Sequence, residues 1–510
     1  MTYFVSFMLA FAVAAGLTPL LRVLAPVIGG IDLAKSSRNV HTSPIPRIGG
    51  VAIVAAFYTP LVGLLFYSND VSALFLSELP AALGLFIAGI AIALLGFCDD
   101  LYGVRARTKL VVQIGVALLL FRFGYQIHTI AGYSLGIFEV PVTLLWIVGI
   151  INAMNLIDGL DGLAGGVAAI AVALNFAIAF SRPEVLMCLY MASLGGAVVG
   201  FLLYNFNPAT IFMGDSGSMF LGLVLACSSI TTSQKSAAAI SMVVPIIGLG
   251  LPIADTLLAV IRRSLRGRPI FAADREHIHH RLIELGLTHR QAVLTLYGAC
   301  LALGLLAASL NFAAGEYRPV LLATSVVVII AALRWLGYLN LDPGQAQVVA
   351  AARARNQGLR AAVRESEQKL KVADRTEVVW EAVKYLAPVL RAKEMQMSVV
   401  VQEAAGEEVR QVHAWRDRPA DGDTKNDCAV KLRLERRPAP GTNDARPLGE
   451  IVVTWADGRH RVERDDEIAL EMLKDHVESA LARLDDGREA AGLAADEAGS
   501  TVIPFRKRSG

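Results

Sequence analysis

The chain has few charged residues and few cysteines for its length. Asp, Glu, Lys and Arg make up 18% of the 510 residues, whereas soluble globular proteins average roughly 25%. The five cysteines (at positions 98, 188, 227, 300 and 428) have no CxxC spacing, which argues against a disulfide framework or a zinc site. The N-terminal apolar stretch begins without a basic segment and is too long for a cleaved signal peptide. These absences indicate an integral membrane protein.

Long apolar runs occupy residues 1–340, and a segment rich in Arg, Glu, Asp and Lys covers 345–510. A membrane-spanning helix needs about 20 apolar residues, which gives about eleven expected spans. The fold class is therefore a polytopic α-helical membrane protein with a C-terminal soluble α+β domain. The expected spans are 3–26, 48–67, 80–97, 109–127, 138–154, 163–180, 185–203, 216–232, 237–260, 291–311 and 319–338.

The loops between these spans form two sets. One set carries Lys and Arg clusters around residues 35–47, 105–109 and 262–290, whereas the other set is short and poor in them. Basic loops favour the cytoplasmic side of a membrane. We therefore expect the N-terminus outside, the C-terminal domain in the cytoplasm, and every acidic cluster described below on the cytoplasmic side. A net charge of +2 gives no reason to expect a nucleic-acid partner.

The charged C-terminal segment divides into three parts. Residues 345–393 have the pattern of a helical linker, 394–485 that of a small α+β domain, and 486–510 are expected to be disordered. The order helix, strands, helix resembles the GAF sensory fold. Because no catalytic constellation lies in this domain, we expect oligomerisation (a homodimer), docking of a regulatory partner, or regulation. Strands are expected at 395–403, 429–437 and 449–458, and the final helix at 464–485.

The first acidic cluster ends the apolar run LGLFIAGIAIALLGF, which Asp99 and Asp100 follow after one residue. An ionised carboxylate at the end of a membrane helix is costly unless it is paired, so it usually marks function. Adjacent helical residues point about 100° apart, so the two carboxylates can do different work. Lys109 lies in the basic stretch that follows. The alternative is a solvated helix end paired with Arg105 or Arg107.

Two further clusters occupy similar helix ends. Asn152, Asn155, Asp158 and Asp161 recur every three residues, near one helical face. Amide and carboxylate oxygens suit Mg²⁺, although hydrogen bonds between helices are an alternative use for them. Asp215 in FMGDSGS precedes an apolar run, where it could be a helix N-cap or a metal ligand. Three acidic sites on one membrane face indicate Mg²⁺ holding a phosphorylated substrate.

The longest basic loop contains three histidines within four residues, His277, His279 and His280, just after Arg275. No cysteine or suitably spaced carboxylate completes a tetrahedral zinc set there. Histidine and arginine donors also suit a pyrophosphate, which is the interpretation we favour. For the arginines at 262–268, a basic patch on the membrane surface is the alternative.

Taken in order, four motifs resemble those of the polyprenyl-phosphate N-acetylhexosamine-1-phosphate transferases. They are FCDD with Lys109, NAMNLIDGLDGLA, NPATIFMGDSGSMFLG and DREHIHHRL, and HTSPIPRIGG in the first loop also looks similar. The resemblance covers residues 1–340, and the His-Ile-His-His form is similar to the N-acetylglucosamine-1-phosphate branch. It implies transfer of a sugar 1-phosphate from a UDP-sugar to undecaprenyl phosphate in the bacterial cytoplasmic membrane, with release of UMP. That reaction begins cell-surface polysaccharides such as O-antigen.

The resemblance implies a role for each candidate residue. Asp215, Asn155 and Asp100 would hold Mg²⁺, for which Mn²⁺ can substitute. Asp99 would accept a proton from the lipid phosphate or orient it, completing a catalytic set of Asp99, Asp100 and Asp215. The remaining candidates would bind substrate: Lys109, Arg275, His277, His279 and His280 the phosphates, Asp158 and Asp161 the nucleotide, and Phe212 the uracil ring. A one-step displacement is expected.

Three alternatives stay open at this point. The donor sugar could be N-acetylgalactosamine, N-acetylfucosamine or a diamino sugar, because all would use the same metal chemistry. A secondary transporter would place its carboxylates near the midplane and would show an inverted repeat, and neither is found. An inert membrane anchor for the C-terminal domain would not need the acidic set.

Overall fold

A computed structural model of the 510-residue chain describes most, but not all, of its residues. The chain forms two compact units: Met1–Ile261 with Ala273–Leu341, and Arg262–Ala272 with Asp342–Gly510. The described ranges are 1–29, 31–32, 45–130, 133–182, 184–234, 243–267, 277–313, 316–335, 343–402, 408–416, 428–436, 446–455 and 462–499. Arg275, a predicted phosphate-binding residue, lies outside them.

The first unit is built from helices, with two short antiparallel strand pairs. One pair joins β1 (Ile31–Asp32) to β2 (Ile45–Pro46), and the other joins β3 (Thr129–Ile130) to β4 (Tyr133–Ser134). Most helices are apolar along their length, as a bilayer requires, and a helix satisfies its own backbone polar groups there. The helices are α1 (Thr2–Ile28), α2 (Gly50–Gly63), α3 (Asp70–Ser77), α4 (Leu79–Tyr102), α5 (Ala106–Arg122), α6 (Glu139–Ile157), α7 (Leu163–Phe180), α8 (Val185–Asn205), α9 (Gly214–Gln234), α10 (Val243–Gly248), α11 (Gly250–Leu265), α12 (Ile278–Glu284), α13 (His289–Phe312) and α14 (Arg318–Trp335).

Within the described ranges, six helical stretches are long and apolar enough to cross a membrane. Two shorter helices, Gly50–Gly63 and Arg318–Ala332, are also apolar. The protein is therefore a polytopic membrane protein. Each expected span lies over one helix except 237–260, which covers α10, most of α11 and residues outside the described ranges. The six stretches are Thr2–Ile28, Leu79–Tyr102, Gly136–Ile157, Leu163–Phe180, Val185–Asn205 and His289–Phe312.

Helix α9 lies at the centre of the first unit. Every residue from 216 to 230 is buried, and the helix packs against α2, α4 and α6. A helix that is apolar all round belongs in a core, because it has no face that favours water. Since α9 begins at Gly214, its first turn brings Asp215 into the middle of these neighbouring helices.

Within the described ranges, the second unit contains two helices, a four-stranded antiparallel sheet and a final helix. Its sheet order is β6-β5-β8-β7, and its core includes Trp455, whose Nε1–H donates to the Leu390 carbonyl at 2.9 Å. Three strands lie where the sequence predicted them, and β6 is additional. The elements are α15 (Pro343–Lys371), α16 (Thr376–Lys384), β5 (Glu394–Gln402), β6 (Glu408–Arg416), β7 (Cys428–Arg436), β8 (Arg446–Trp455) and α17 (Arg464–Gly499).

The end of α17 corrects one expectation. Disorder was expected from residue 486 onward, but the helix continues to Gly499. The sequence there, DGREAAGLAADEAG, has five alanines and two glutamates beside three glycines, and the high helix propensity of alanine and glutamate can extend a packed helix. Residues 500–510 lie outside the described ranges.

Candidate active site

Lys109 lies between two carboxylates that the sequence singled out. Its Nζ donates to Asp99 Oδ2 at 2.7 Å and to Asp215 Oδ2 at 2.8 Å. The three side chains come from α5, α4 and α9, and each remains partly exposed. Asp99 also accepts a hydrogen bond from the Val104 backbone through Oδ1. Three predicted site residues, far apart in sequence, therefore meet in one ion-paired group.

Asp100 turns away from this group and holds the start of α9. Its Oδ1 accepts the backbone N–H of Asp215 at 2.8 Å, and its Oδ2 accepts that of Ser216 at 3.1 Å. Free N–H groups and the positive end of the helix dipole both favour a carboxylate at this position. Both oxygens of Asp100 thus have backbone partners, and this residue fixes the backbone of Asp215.

Close backbone packing at the start of α9 requires two glycines. Gly214 has a φ of +70°, and a Cβ there would overlap the Arg47 carbonyl and lie 2.5 Å from Asp100 Oδ2. A Cβ on Gly96 of α4 would overlap the Ser216 backbone nitrogen. The chain can reach the Asp100 carboxylate only because both positions lack a side chain.

The segment before α2 is hydrogen-bonded to the segment before α9. The Phe212 N–H donates to the Pro46 carbonyl at 2.7 Å, Gly49 N–H to the Phe212 carbonyl at 3.0 Å, and Gly50 N–H to the Met213 carbonyl at 2.8 Å. This pairing brings Arg47 to the site, where its charge acts on Asp158. Arg47 is a site residue that the sequence reasoning did not select, although it lies within the motif HTSPIPRIGG.

The turn after α6 adds further oxygen atoms. Asn155 donates through Nδ2 to Ser218 Oγ of α9 at 3.0 Å, which leaves its amide oxygen to accept or to coordinate. Burial first, and then the carboxylates of Asp215, Asp100 and Asp161, raise the pKa of Asp158 to about 8, against the opposing charge of Arg47. Three further carboxylates therefore lie close enough to Asp158 to act on its charge.

The Asp161 carboxylate is held by hydrogen bonds inside the protein. It is buried, and its Oδ2 accepts from Asn207 Nδ2 and from the Ala209 backbone N–H, both at 3.0 Å. These bonds join the turn after α6 to the segment before α9. Phe212 is half-buried and is held there by its backbone. Nucleotide contact by Asp161 and ring stacking by Phe212 stay predictions.

The three histidines form a row of neighbouring rings at the start of α12, in which His277 and His279 are stacked and His280 is tilted by 46°. The rings of His277 and His279 are parallel within 2° at 5.8 Å, and that of His280 lies 4.2 Å from His279. Burial lowers the pKa of His279 to about 3, with a smaller contribution from His280. His279 is therefore neutral at physiological pH and would contact a phosphate as a hydrogen-bond donor rather than as a cation.

Sequence comparisons fit this geometry. Residues 82–233 match the profile described as glycosyl transferase family 4. A probable undecaprenyl-phosphate N-acetylglucosaminyl 1-phosphate transferase of Bacillus subtilis is 40% identical over 58% of this chain and 80% of its own length. The chain belongs to the polyprenyl-phosphate N-acetylhexosamine-1-phosphate transferase family.

Two further relatives come from other bacteria. A decaprenyl-phosphate N-acetylglucosaminephosphotransferase of Mycobacterium tuberculosis is 35% identical over 61% of this chain and 83% of its own length. An undecaprenyl-phosphate alpha-N-acetylglucosaminyl 1-phosphate transferase of Escherichia coli is 27% identical over 57% and 80%. The protein is thus a membrane-bound sugar-phosphate transferase, and the reading as an inert anchor is excluded.

A transferase of this family must bring two phosphates together, and the donor atoms present suit a divalent cation as the counter-charge. Only one oxygen of Asp215 accepts from Lys109, and Asn155 bonds to Ser218 through its amide nitrogen, which leaves its amide oxygen to coordinate. The carboxylates of Asp215, Asp100 and Asp161 also act on that of Asp158. Carboxylate and amide oxygens are the ligands Mg²⁺ prefers. Over the part of the chain that the structure describes, no three His, Cys, Asp or Glu side chains form a metal-binding group.

Proposed function

We propose that this transferase moves N-acetylglucosamine 1-phosphate from UDP-N-acetylglucosamine to undecaprenyl phosphate. A lipid phosphate oxygen would attack the phosphorus next to the sugar, the bond from that phosphorus to the UMP oxygen would break, and UMP would leave. The meeting of Asp99, Lys109 and Asp215 carries this proposal, because it gives a polarised, partly exposed cation for phosphates at a carboxylate-rich turn. The names of the relatives support the donor.

The reacting phosphates repel one another, so the protein must mainly neutralise charge and align the two groups. We assign Lys109 to a substrate phosphate, with Asp99 and Asp215 orienting its ammonium group. A phosphate monoester is already largely ionised at pH 7, so the lipid needs little proton removal. Asp99, with both oxygens engaged, then acts by orientation, in a one-step displacement without an aspartyl-phosphate intermediate.

Mg²⁺ is the proposed cofactor, and Mn²⁺ a substitute. Asp215 and Asn155 would hold the ion, and the negative charge around Asp158 would favour it. Bound there, the ion would act as a Lewis acid and neutralise part of the diphosphate charge. The sequence predicts Asp100 as a third ligand. Because both of its oxygens accept backbone hydrogen bonds, we propose instead that it supports Asp215 without contacting the ion.

The remaining residues are proposed for the nucleotide sugar. Asp158 would face the nucleotide, Phe212 the uracil ring, and His279, His280 and Arg275 the diphosphate. His277, predicted with them, would support His279 from its place against Asp255. Asp161 would act mainly by holding the segment at Asn207, given its two bonds there.

The proposed location is the bacterial cytoplasmic membrane, with about eleven spans. The basic loops favour an external N-terminus, a cytoplasmic active site and a cytoplasmic C-terminal domain. Undecaprenyl phosphate is the proposed acceptor, and the decaprenyl lipid named for the M. tuberculosis relative is the second candidate. Another UDP-N-acetylhexosamine remains the second candidate for the donor.

The test is UMP release by the purified full-length protein in detergent. The assay supplies undecaprenyl or decaprenyl phosphate and a panel of UDP-N-acetylhexosamines, with Mg²⁺, with Mn²⁺ and with EDTA. We expect Mg²⁺-dependent release with UDP-N-acetylglucosamine, none from Asp215→Asn, and full release from Asp70→Asn at the exposed start of α3. Release only with another sugar would move the proposal to that donor. No UMP release with any donor, together with solute uptake driven by an ion gradient when the same protein is placed in sealed vesicles, would favour a transporter and end the proposal.

A further inference from the structure

A buried carboxylate outside the acidic motifs holds the histidine segment. Asp255 of α11 is 3% exposed. Its Oδ2 lies 2.9 Å from His277 Nδ1, and its Oδ1 accepts the Ile278 backbone N–H at 2.8 Å. A buried carboxylate is costly unless it is paired and hydrogen-bonded. Both of its bonds go to the two residues at which α12 begins.

This pairing sets the state of His277. An ionised carboxylate can only accept hydrogen bonds, so opposite an ionised Asp255 a proton of His277 lies on Nδ1. The same carboxylate also takes the place of a helix cap, since the side chain of His277 does not cap α12. One residue thus fixes both the ring of His277 and the first turn of the helix that follows it.

The consequence reaches the active-site turn through His279. Its ring is parallel to that of His277, and a Cβ added to Gly159 would lie 2.5 Å from His279 Nε2. Gly159 directly follows Asp158. His279 is 3% exposed, and its Nδ1 has no hydrogen-bond partner among the described residues. His279 thus packs on the functional turn through Nε2 while its buried Nδ1 has no partner, and a buried ring with an unpartnered nitrogen is suited to a ligand.

We infer that Asp255 is a positioning residue that acts through His277 and the first turn of α12 to hold His279 at the Asp158 turn. The ligand for which His279 is positioned is the diphosphate of the nucleotide sugar. This inference rests on the proposed function, because it assigns that substrate to the histidine row. Asp255 itself touches no reacting group.

The first test separates the Michaelis constants of the two substrates. In Asp255→Ala we expect the KM for UDP-N-acetylglucosamine to rise about 10- to 100-fold, as loss of a charge-assisted hydrogen bond would produce. The KM for polyprenyl phosphate should not change. A variant that was merely damaged would contain less active enzyme, with lower kcat and both KM values unchanged, and that result would overturn the inference. Asp255→Asn keeps an acceptor for Ile278 and serves if the alanine variant does not fold.

The second test asks which nitrogen of His277 matters. The side-chain amide nitrogen of His277→Asn takes the place of Nδ1, whereas that of His277→Gln takes the place of Nε2. We expect the asparagine variant to keep a KM near that of the wild type and the glutamine variant to match Asp255→Ala. The reverse order would put His277 directly on the substrate and overturn the inference.

Thr256→Val, at the next residue of α11, is the matched control. The Thr256 hydroxyl is buried and has no hydrogen-bond partner within the described ranges, so its loss should leave both KM values unchanged. Failure of this inference is distinct from failure of the proposed function. If the wild-type protein releases no UMP, the proposed function is wrong. If the wild type is active and Asp255→Ala has an unaltered KM for UDP-N-acetylglucosamine, only the inference is wrong.

Discussion

The backbone N–H of Asp215 donates a 2.8 Å hydrogen bond to Oδ1 of Asp100. One carboxylate of the acidic set therefore fixes the position of another, whose side chain meets Lys109. Asp99 and Asp100 have different roles, because the side chains of adjacent helical residues point about 100° apart. Asp99 faces the lysine, and Asp100 faces the backbone.

Asp100→Asn should lower kcat without changing the need for metal. The amide oxygen can replace only one of the two carboxylate oxygens as an acceptor of the backbone hydrogen bonds. The first turn of α9 is then held less rigidly, and the reacting groups are misplaced. We expect kcat to fall by about 100-fold, the scale of a 1 Å misplacement, with half-saturating Mg²⁺ little changed. The measurement is UMP release against Mg²⁺ concentration. A large rise in half-saturating Mg²⁺ would instead make Asp100 a ligand.

Gly96→Ala should separate α4 from the start of α9. The added methyl group would overlap the Ser216 backbone nitrogen, which cannot rotate away. We expect a loss of turnover of about 100-fold and a lower melting temperature in detergent. Gly149→Ala on α6 is the control, because a Cβ there meets nothing within 4 Å. Equal activity in the two variants would contradict the packing at Gly96.

Asp158 should make stability depend on pH when no divalent cation is present. Its pKa is raised to about 8 from an ordinary value of 3.8, so the folded state holds this proton more tightly than the unfolded state does. The stabilisation is complete below the lower value and is lost as pH rises toward 8. We expect Asp158→Asn to gain in melting temperature over the wild type at pH 8, but not at pH 4.

The check for Asp158 is a series of thermal unfolding curves in EDTA from pH 4 to pH 8.5. Added Mg²⁺ should raise the melting temperature of the wild type most at the alkaline end, since it competes with the proton. Parallel curves for the wild type and Asp158→Asn would show that this carboxyl titrates normally.

Removal of residues 345–510 should leave measurable UMP release. The acidic site lies wholly within the first unit, and its hydrogen bonds come from residues of that unit. The measurement compares kcat of the truncated and full-length proteins in the same detergent. Complete loss, with the truncated protein still giving a single symmetric chromatographic peak, would mean that the C-terminal part is needed for catalysis.

Asp466→Ala should destabilise the second unit alone. Asp466 is fully buried, and both its oxygens accept from Arg355 Nη2, at 2.8 and 2.9 Å. Because Arg355 is 23% exposed and also pairs with Glu463, we expect the cost of a lost charge-assisted hydrogen bond, about 1.5–3 kcal/mol. Limited proteolysis of the full chain should cut residues 345–499 faster, while UMP release stays unchanged. Asp475→Ala, at an exposed position, should behave as the wild type.

The sequence predicted the helices of the first unit well because their apolar runs are long and their ends carry charged or glycine-rich segments. It also selected Asp99, Lys109, Asn155 and Asp215, whose chemistry is unusual for a membrane segment. Strand β6 escaped prediction. The less exposed side chains of its described part are Gln411, His413 and Trp415, so no alternation of apolar and polar residues marks it.

Arg47 and Asp255 were not selected from the sequence, because their partners are distant in the chain. Arg47 acts on Asp158, and a basic residue in a basic loop has an ordinary explanation. Asp255 is a single carboxylate in an apolar run, and only the fold shows that His277 lies against it. A search for unpaired carboxylates within apolar runs would have found Asp255, without showing its partner.

The first turn of α9 is held by contacts from residues near 47, 96 and 100. A chain that is still being synthesised, with only its first 200 residues inserted, has Asp99 and Lys109 but nothing to complete their group. Asp215 and its backbone bonds arrive only after the eight α-helices described before it. A partly assembled protein therefore lacks the ion-paired group of Asp99, Lys109 and Asp215, and we expect transferase activity only once α9 has entered the bundle.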